Sequence, residues 1–119
     1  MTGKPFEAGV RRESGGAAVI DLRGDINANA EAALSAAYAE AEGAAPHSLV
    51  LNFTGVGYIN STGIALIVGV LAKARRGRLP LRVFGLSPHY QEIFQITRLA
   101  DFMSICADEA SAVAEAARS

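Results

Sequence analysis

The chain has 119 residues, half of them hydrophobic, and a formal net charge of -1 at pH 7. This length suits one domain with a core of its own and is too short for two, so residues 1–119 are interpreted as a single domain. A charge so close to zero provides no general attraction to nucleic acid or to an acidic membrane surface. We therefore expect neither as a partner.

The cysteine content and the length of the apolar runs indicate the cellular compartment in which the protein folds. Cys106 is the single cysteine, so it cannot form an internal disulfide, and no Cys or His cluster has metal-ligand spacing. We therefore expect no bound metal and a reducing environment. The N-terminus has no run typical of a signal peptide, and the longest apolar run, residues 64–72, is far below the roughly 20 residues that span a bilayer. These features predict a cytoplasmic protein.

The first third of the chain predicts a hairpin and then a helix. Apolar and polar residues alternate up to Val10 and again in "AAVIDLRG" at 17–24, on either side of the turn signal "SGG" at 14–16. A two-residue period around a glycine turn is typical of two paired strands. The alanine-rich and glutamate-rich segment 25–43 predicts a helix with Asn27 or Asn29 as its N-cap.

The remaining two thirds predict three alternations of strand and helix. The strands are "SLVLNF" (48–53), "LPLRVFG" (79–85) and "FMSICA" (102–107). The helices follow at 61–76, 87–99 and 108–119, with Ser87 and Asp108 as N-caps and Gly77 as a left-handed C-terminal cap. Because helices cross over between strands, we expect an α/β fold with a small mixed sheet of about five strands and about four helices packed mainly on one face.

The segment "GVGYINSTG" at 55–63 predicts a glycine-rich loop that leads into the second helix. Its glycine spacing matches neither G-x-G-x-x-G nor the P-loop pattern, and Ile59 breaks the nucleophile-elbow pattern, which argues against a catalytic serine. Two interpretations remain open for the hydroxyl residues. Ser61 or Thr62 caps the helix, or the site is suited to phosphorylation because a phosphate there meets free N–H groups and the positive end of the helix dipole.

The second helix carries two different faces. Ile64, Ile67, Val68 and Leu71 form an apolar stripe at helical spacing. The opposite face is small and uncharged, with residues such as Ala65, Gly69 and Ala72. This pattern is typical either of a helix buried on most sides or of a smooth surface on which a partner docks.

The sequence resembles a known family over nearly its whole length. The segment 49–86, "LVLNFTGVGYINSTGIALIVGVLAKARRGRLPLRVFGL", resembles the STAS domain of bacterial anti-sigma factor antagonists. The signature of that family is an aspartate, two hydroxyl residues and a glycine that open the second helix. The segments "IDLRGDINANAEAAL" and "IFQITRLADFMSICADEASAVAEA" resemble its earlier strand and helix and its closing elements.

The resemblance implies a regulatory binding protein that is itself not an enzyme and needs no cofactor. In the family, the serine after the aspartate, which corresponds to Ser61, is phosphorylated by a serine protein kinase that is also the anti-sigma factor. The unphosphorylated antagonist binds this partner and frees the sigma factor, and a PP2C-type phosphatase resets the switch. Thr62 is the alternative acceptor. The expected partner-binding residues are Asp25, Asn27, Tyr58, Asn60, Ser61, Thr62, Gly63, Ala65 and Gly69, with Tyr58 either anchoring the loop or standing out as an interface aromatic.

The sequence departs from the family pattern at two positions. The signature aspartate is Asn60, and the aspartate common in the preceding strand is Asn52. An amide keeps the size and much of the hydrogen bonding of a carboxylate and removes its charge. Asn60 therefore favours a second hypothesis, in which the domain is a phosphorylation-independent scaffold or a sensory module that binds a small anion or nucleotide at the helix start.

Overall fold

The computed structural model describes residues 4–13 and 15–117, with side chains described up to residue 114, so Ser14 of the predicted turn lies outside it. Five strands occur in the described ranges: β1 (Glu7–Arg12), β2 (Ala17–Ile26), β3 (Ser48–Ile59), β4 (Leu81–Phe84) and β5 (Ser104–Ile105). The α-helices described there are α1 (Glu31–Gly43), α2 (Ser61–Arg76), α3 (Pro88–Ile96) and α4 (Glu109–Ala117), with short 3-10 turns at Ala28–Ala30 and Leu99–Phe102. No helix within these ranges is long and apolar enough to cross a bilayer.

The strands form one sheet in sequence order, β1-β2-β3-β4-β5. β1 and β2 pair antiparallel as the predicted hairpin, and the pairs β2–β3, β3–β4 and β4–β5 are parallel. Parallel neighbours require crossover connections, which the helices supply. The predicted mixed α/β sheet is therefore confirmed.

The two faces of the sheet are covered unequally. The larger core joins alternate strand residues to α1, α2 and α3, and it includes Leu51, Ile67 and Phe94. On the other face, Ala112 of α4 packs with Val50, Phe84 and two further apolar residues of β2, Ala17 and Val19. Three helices therefore lie on one face and one on the other, as the expectation of helices mainly on one face requires.

Local capping signals were predicted with mixed success. Ser87 caps α3 and Asp108 accepts a hydrogen bond from the Ser111 N–H at the start of α4, as expected. Asn27 caps the 3-10 turn rather than α1, whose start has no side-chain cap. The prediction of a left-handed Gly77 is wrong, because Gly77 has φ -83° and Arg78 has φ 57°.

Arg78 takes the left-handed position because the end of α2 closes one residue later than the sequence suggested. The Leu79 N–H donates to the Ala74 carbonyl at 2.8 Å and the Arg78 N–H donates to the Arg75 carbonyl at 3.1 Å. This pair of bonds is the Schellman arrangement, in which the left-handed residue, here Arg78, donates one bond and the residue after it donates the other. The hydrogen bonds at the end of α2, rather than the preference of glycine, therefore determine which residue is left-handed.

The glycine-rich segment 55–59 is not a loop. β3 continues through it to Ile59, and it pairs with β2 through Arg23↔Gly55, Gly24↔Val56 and Ile26↔Ile59, with irregular register between them. β2 is long enough to supply a partner for the whole segment, and this pairing satisfies backbone groups that a loop would leave to water. The apparent loop is therefore the far half of a twelve-residue strand.

Candidate functional site

The candidate site lies where β3 ends and α2 begins. Asn60 is the N-cap of α2, and its side-chain oxygen accepts a hydrogen bond from the Gly63 N–H at 2.8 Å. Its backbone carbonyl accepts from Ile64 N–H at 2.9 Å, which is the first helical hydrogen bond. The amide at position 60 therefore performs the capping that a short polar side chain normally performs there.

The two hydroxyl residues occupy the first two positions of the helix and do not cap it. Ser61 and Thr62 are both exposed, so the interpretation in which one of them is the cap is wrong. The cap forms from the residue before them because Asn60 holds the extended backbone, φ -90° and ψ -178°, that the N-cap position requires. The N–H groups of the first helical positions have no partner within the helix, so the Ser61 side chain stands at its positive end.

Gly63 fixes how closely the helix start approaches β2. A side-chain carbon at this position would overlap the carbonyl oxygen of Ile26 and would lie 2.9 Å from Cγ2 of Ile59. Gly63 is buried, so in this conformation it offers little surface to a partner, although it was among the predicted contact residues. A glycine here allows the backbone of α2 to rest directly against the end of β2.

The other predicted contact residues lie around this junction. The Asn60 N–H donates to the Ile26 carbonyl at 3.2 Å, which places Asn27 beside the helix start, and Asn27 is half-buried with its side chain bonded to the Asn29 N–H. Asp25 is half-buried within β2, so it lies outside the helix that was predicted from the segment 25–43. Tyr58 is 57% exposed, so it stands out from the sheet instead of anchoring it.

The exposed side of α2 forms what we call the outer face. It consists of Ser61, Thr62, Ala65, Val68 and Gly69, all of which are exposed. These residues are uncharged, and the cations of this helix are Lys73, Arg75 and Arg76 in its last turn. The outer face is therefore small, smooth and neutral over its first nine residues, which is the kind of surface that two proteins can approach closely.

The apolar stripe predicted on α2 is only partly buried. Ile67 and Leu71 are buried as expected, but Val68 is 43% exposed and Val70 is buried instead. The helix is apolar on most sides, so periodicity alone could not choose between neighbouring stripes. Packing against the sheet selected the side that contains Gly63, because only there can the helix backbone approach β2.

Asn52, the second departure from the family pattern, lies on a polar network below the site. Its amide nitrogen donates to Asp21 at 2.8 Å, and its amide oxygen accepts from Thr54. Arg11 donates to the same Asp21 carboxylate at 2.6 and 2.9 Å, and this guanidinium holds the pKa of Asp21 below its usual range. An amide at position 52 therefore provides a donor to a carboxylate that is already ionised.

Tyr90, which the sequence analysis did not single out, is brought to the site by the tertiary structure. Its hydroxyl accepts a hydrogen bond from the Ile59 N–H at 2.8 Å, directly before the cap residue. Tyr90 and Ile59 are 31 positions apart, so no local spacing could have predicted this contact. Among the described residues, no group of three or more His, Cys, Asp or Glu side chains could hold a metal ion.

Comparison with known proteins identifies the family. Residues 10–112 match the STAS domain, so the chain belongs to the STAS domain family. It is also similar to proteins named anti-sigma-B factor antagonist from Listeria monocytogenes (37% identity over 57 residues, 48% of this chain and 50% of that protein) and Staphylococcus epidermidis (34% over 59 residues, 50% and 55%). The chain spans about half the length of the curated relatives that it matches.

Solved structures show the same fold over most of both chains. The anti-sigma factor antagonist SpoIIAA in its unphosphorylated form aligns with a TM-score of 0.70 and 18% identity, covering 93% of this chain and 97% of that chain. An anti-sigma factor antagonist from Mycobacterium paratuberculosis aligns with a TM-score of 0.78 and 18% identity, covering 93% of each. The Bacillus cell fate determinant SpoIIAA in its phosphorylated form aligns with a TM-score of 0.70 and 22% identity, covering 91% and 97%.

Proposed function

We propose that this protein is a cytoplasmic anti-sigma factor antagonist that is switched by phosphorylation of Ser61. In its unphosphorylated form it binds, through Tyr58 and the outer face of α2, an anti-sigma factor that is also a serine protein kinase. Phosphorylation by that kinase releases it, and a PP2C-type phosphatase restores it. Like the family's regulatory members, it acts as a substrate and binding module rather than as an enzyme.

The observation that carries the proposal is that Asn60, and not Ser61, caps α2. The cap bond from Gly63 to Asn60 leaves Ser61 exposed at the first helical position, next to an uncharged surface. A kinase can therefore reach the hydroxyl without breaking the helix start. The names of the relatives and the existence of a related fold in a phosphorylated form support the same conclusion.

The loss of partner affinity on phosphorylation of Ser61 can be estimated from the charge that the phosphate adds. A phosphate adds about 1.5 to 2 negative charges at pH 7, in a contact surface that has no cation of its own. An uncompensated charge in an interface costs on the order of 2 to 5 kcal/mol, which is about 30-fold to several thousand-fold in affinity. The phosphate also meets the free N–H groups of the first turn, so the helix start remains formed and only the partner is displaced.

The test uses the full chain with kinase-type anti-sigma factors from its own genome. We expect one phosphate on the wild-type chain, located at Ser61 by mass spectrometry, and none on Ser61→Ala. The Ser61→Ala variant should bind the partner like the wild type, whereas Ser61→Glu should bind at least about tenfold more weakly in calorimetry. Thr62→Ala is the matched control and should retain both phosphorylation and binding. A phosphate found on Thr62 alone, or equal affinity of Ser61→Glu and Ser61→Ala, would contradict the proposal.

One observation favours a second candidate, the phosphorylation-independent module. The first turn of α2 contains no acidic residue and its cap is neutral, so the helix start itself does not repel a small anion. If the domain binds such a ligand, a thermal shift panel of nucleotides and phosphate should give ligand-specific stabilisation that Asn60→Asp reduces. A flat panel together with phosphorylation of Ser61 would reject this candidate.

A further inference from the structure

Among the described residues, no strand pairs with the far half of β3 on its β4 side. On β3, β4 pairs with residues 49–52 and with no later residue of that strand, because the chain leaves the sheet after Phe84. Ile59 is 5% exposed, so its backbone N–H cannot rely on water. An unpaired N–H at such a buried position destabilises the folded chain.

The hydroxyl of Tyr90 takes the place of the missing strand. It lies 2.8 Å from the Ile59 nitrogen, from which it accepts, and 3.4 Å from the Ile59 carbonyl oxygen, to which it donates. One side chain therefore serves both polar groups of this residue, as a neighbouring strand would. Tyr90 itself is 8% exposed and lies in the first turn of α3.

The position of Tyr90 is fixed by its own helix. Ser87 caps α3 by accepting from the Tyr90 N–H at 3.3 Å. One turn later, the Phe94 ring packs edge-on against Phe53 of β3, with ring centroids 6.0 Å apart. α3 is therefore attached to β3 at two points, at Phe53 in the core and at Ile59 beside the site.

The Ile59 contact adjoins the cap of α2. The peptide groups of Ile59 and Asn60 are held by Tyr90 and by the Ile26 carbonyl, respectively. We propose that Tyr90 is a positioning residue, whose hydroxyl holds the end of β3 so that Asn60 caps α2 and Ser61 is presented in one orientation. The effect on Ser61 phosphorylation rests on the proposed function, whereas the effect on the junction does not.

The first experiment measures the junction alone, by amide hydrogen exchange in the wild type, Tyr90→Phe and Tyr38→Phe. Tyr38 is the matched control because it is 4% exposed and its hydroxyl has no hydrogen-bond partner among the residues that the structure describes. In Tyr90→Phe, exchange at Ile59 should accelerate roughly tenfold or more relative to Val50 in the sheet centre, since about 1.4 kcal/mol corresponds to a factor of ten. In Tyr38→Phe the ratio of the two rates should not change.

Two results of this experiment would overturn the inference. One is an Ile59 amide that already exchanges in the wild type as fast as exposed amides, which would mean that the hydrogen bond is absent. The other is equal acceleration at Ile59 and Val50 in Tyr90→Phe, which would mean that the hydroxyl only contributes to overall stability. The wild-type measurement remains decisive even if Tyr90→Phe folds poorly.

The second experiment measures presentation of Ser61 to the kinase partner. Tyr90→Phe should lower kcat/KM for phosphorylation about threefold to tenfold, mainly through KM, because a mobile helix start must be ordered on binding. Tyr38→Phe should match the wild type. A change in exchange without a change in kcat/KM would overturn the positioning role. Failure of the wild type to be phosphorylated would instead count against the proposed function and leave the exchange result standing.

Discussion

The two halves of β3 show how one strand can serve both the core and the site. Residues 49–52 lie between β2 and β4 and are largely buried. Residues 55–59 pair with β2 on one side, and Tyr90 supplies a hydrogen bond on the other. The first half is held by many distributed contacts, whereas the second depends on a few specific ones. A site placed at the end of the second half is held by these few contacts and is still accessible from outside.

The largest difference between the two halves of β3 should appear when Leu51 in the first half and Tyr58 in the second are each replaced by alanine. Leu51 is 1% exposed in the main core and Tyr58 is 57% exposed. Leu51→Ala should lower the free energy of unfolding by about 2 to 5 kcal/mol, since it leaves a cavity. Tyr58→Ala should change it by less than about 0.5 kcal/mol and should weaken partner binding instead. Urea unfolding and calorimetry measure the two effects, and a large stability loss in Tyr58→Ala would show that the far half is part of the core.

The next contrast lies between two glycines of α2. Gly63→Ala should lower the free energy of unfolding by about 1 to 3 kcal/mol, because the added carbon overlaps the Ile26 carbonyl. Gly69→Ala is the control, since no atom of the described residues lies within 4 Å of its added carbon, apart from its chain neighbours and the adjoining helix backbone. It should raise the same quantity by roughly 0.5 to 1 kcal/mol through helix propensity. Equal effects in chemical denaturation would mean that α2 does not rest on β2 as described.

The third contrast restores an aspartate at each amide of the family pattern. Asn52→Asp places a carboxylate against Asp21, so it should cost about 1 to 3 kcal/mol of unfolding free energy at pH 7. Asn60→Asp is the matched control, and it should be neutral or stabilising by about 0.3 to 1 kcal/mol because a carboxylate suits a helix N-terminus. Unfolding in urea measures both variants. A stable Asn52→Asp at pH 7 would contradict the hydrogen bond to Asp21.

The pH dependence of these variants follows from their carboxyl groups. In the wild type, the Arg11 hydrogen bonds lower the folded pKa of Asp21. Asp21 therefore stabilises the fold above its unfolded pKa of about 3.9, and this contribution is lost as pH falls below that value. In Asn52→Asp the like charge raises the folded pKa of the new carboxyl instead. The loss of unfolding free energy caused by Asn52→Asp should shrink as pH falls from 7 towards about 4, and a loss that is the same at pH 7 and at pH 4 would contradict this assignment.

Much of the fold was predictable because short-range sequence patterns determine its strands, helices and caps. The two-residue period of the hairpin, the alternation of strands and helices and the caps Ser87 and Asp108 all depend on neighbouring residues, and the structure confirms them. The exposure of Ala65 and Gly69 also agrees with a helix whose outer face is small. The end of β3 and the left-handed residue after α2 were wrong because both depend on which backbone groups find a partner.

By itself, the sequence determined the family pattern, the order of the elements and the presence of a polar helix start beside a neutral helix face. The tertiary structure decided which residue caps that helix, which stripe of α2 is buried and which side chain holds the strand that precedes it. The physical reason is distance along the chain. Capping and periodicity act within a few residues, whereas Tyr90 meets Ile59 across 31 positions, and such a contact exists only once the sheet and α3 have assembled.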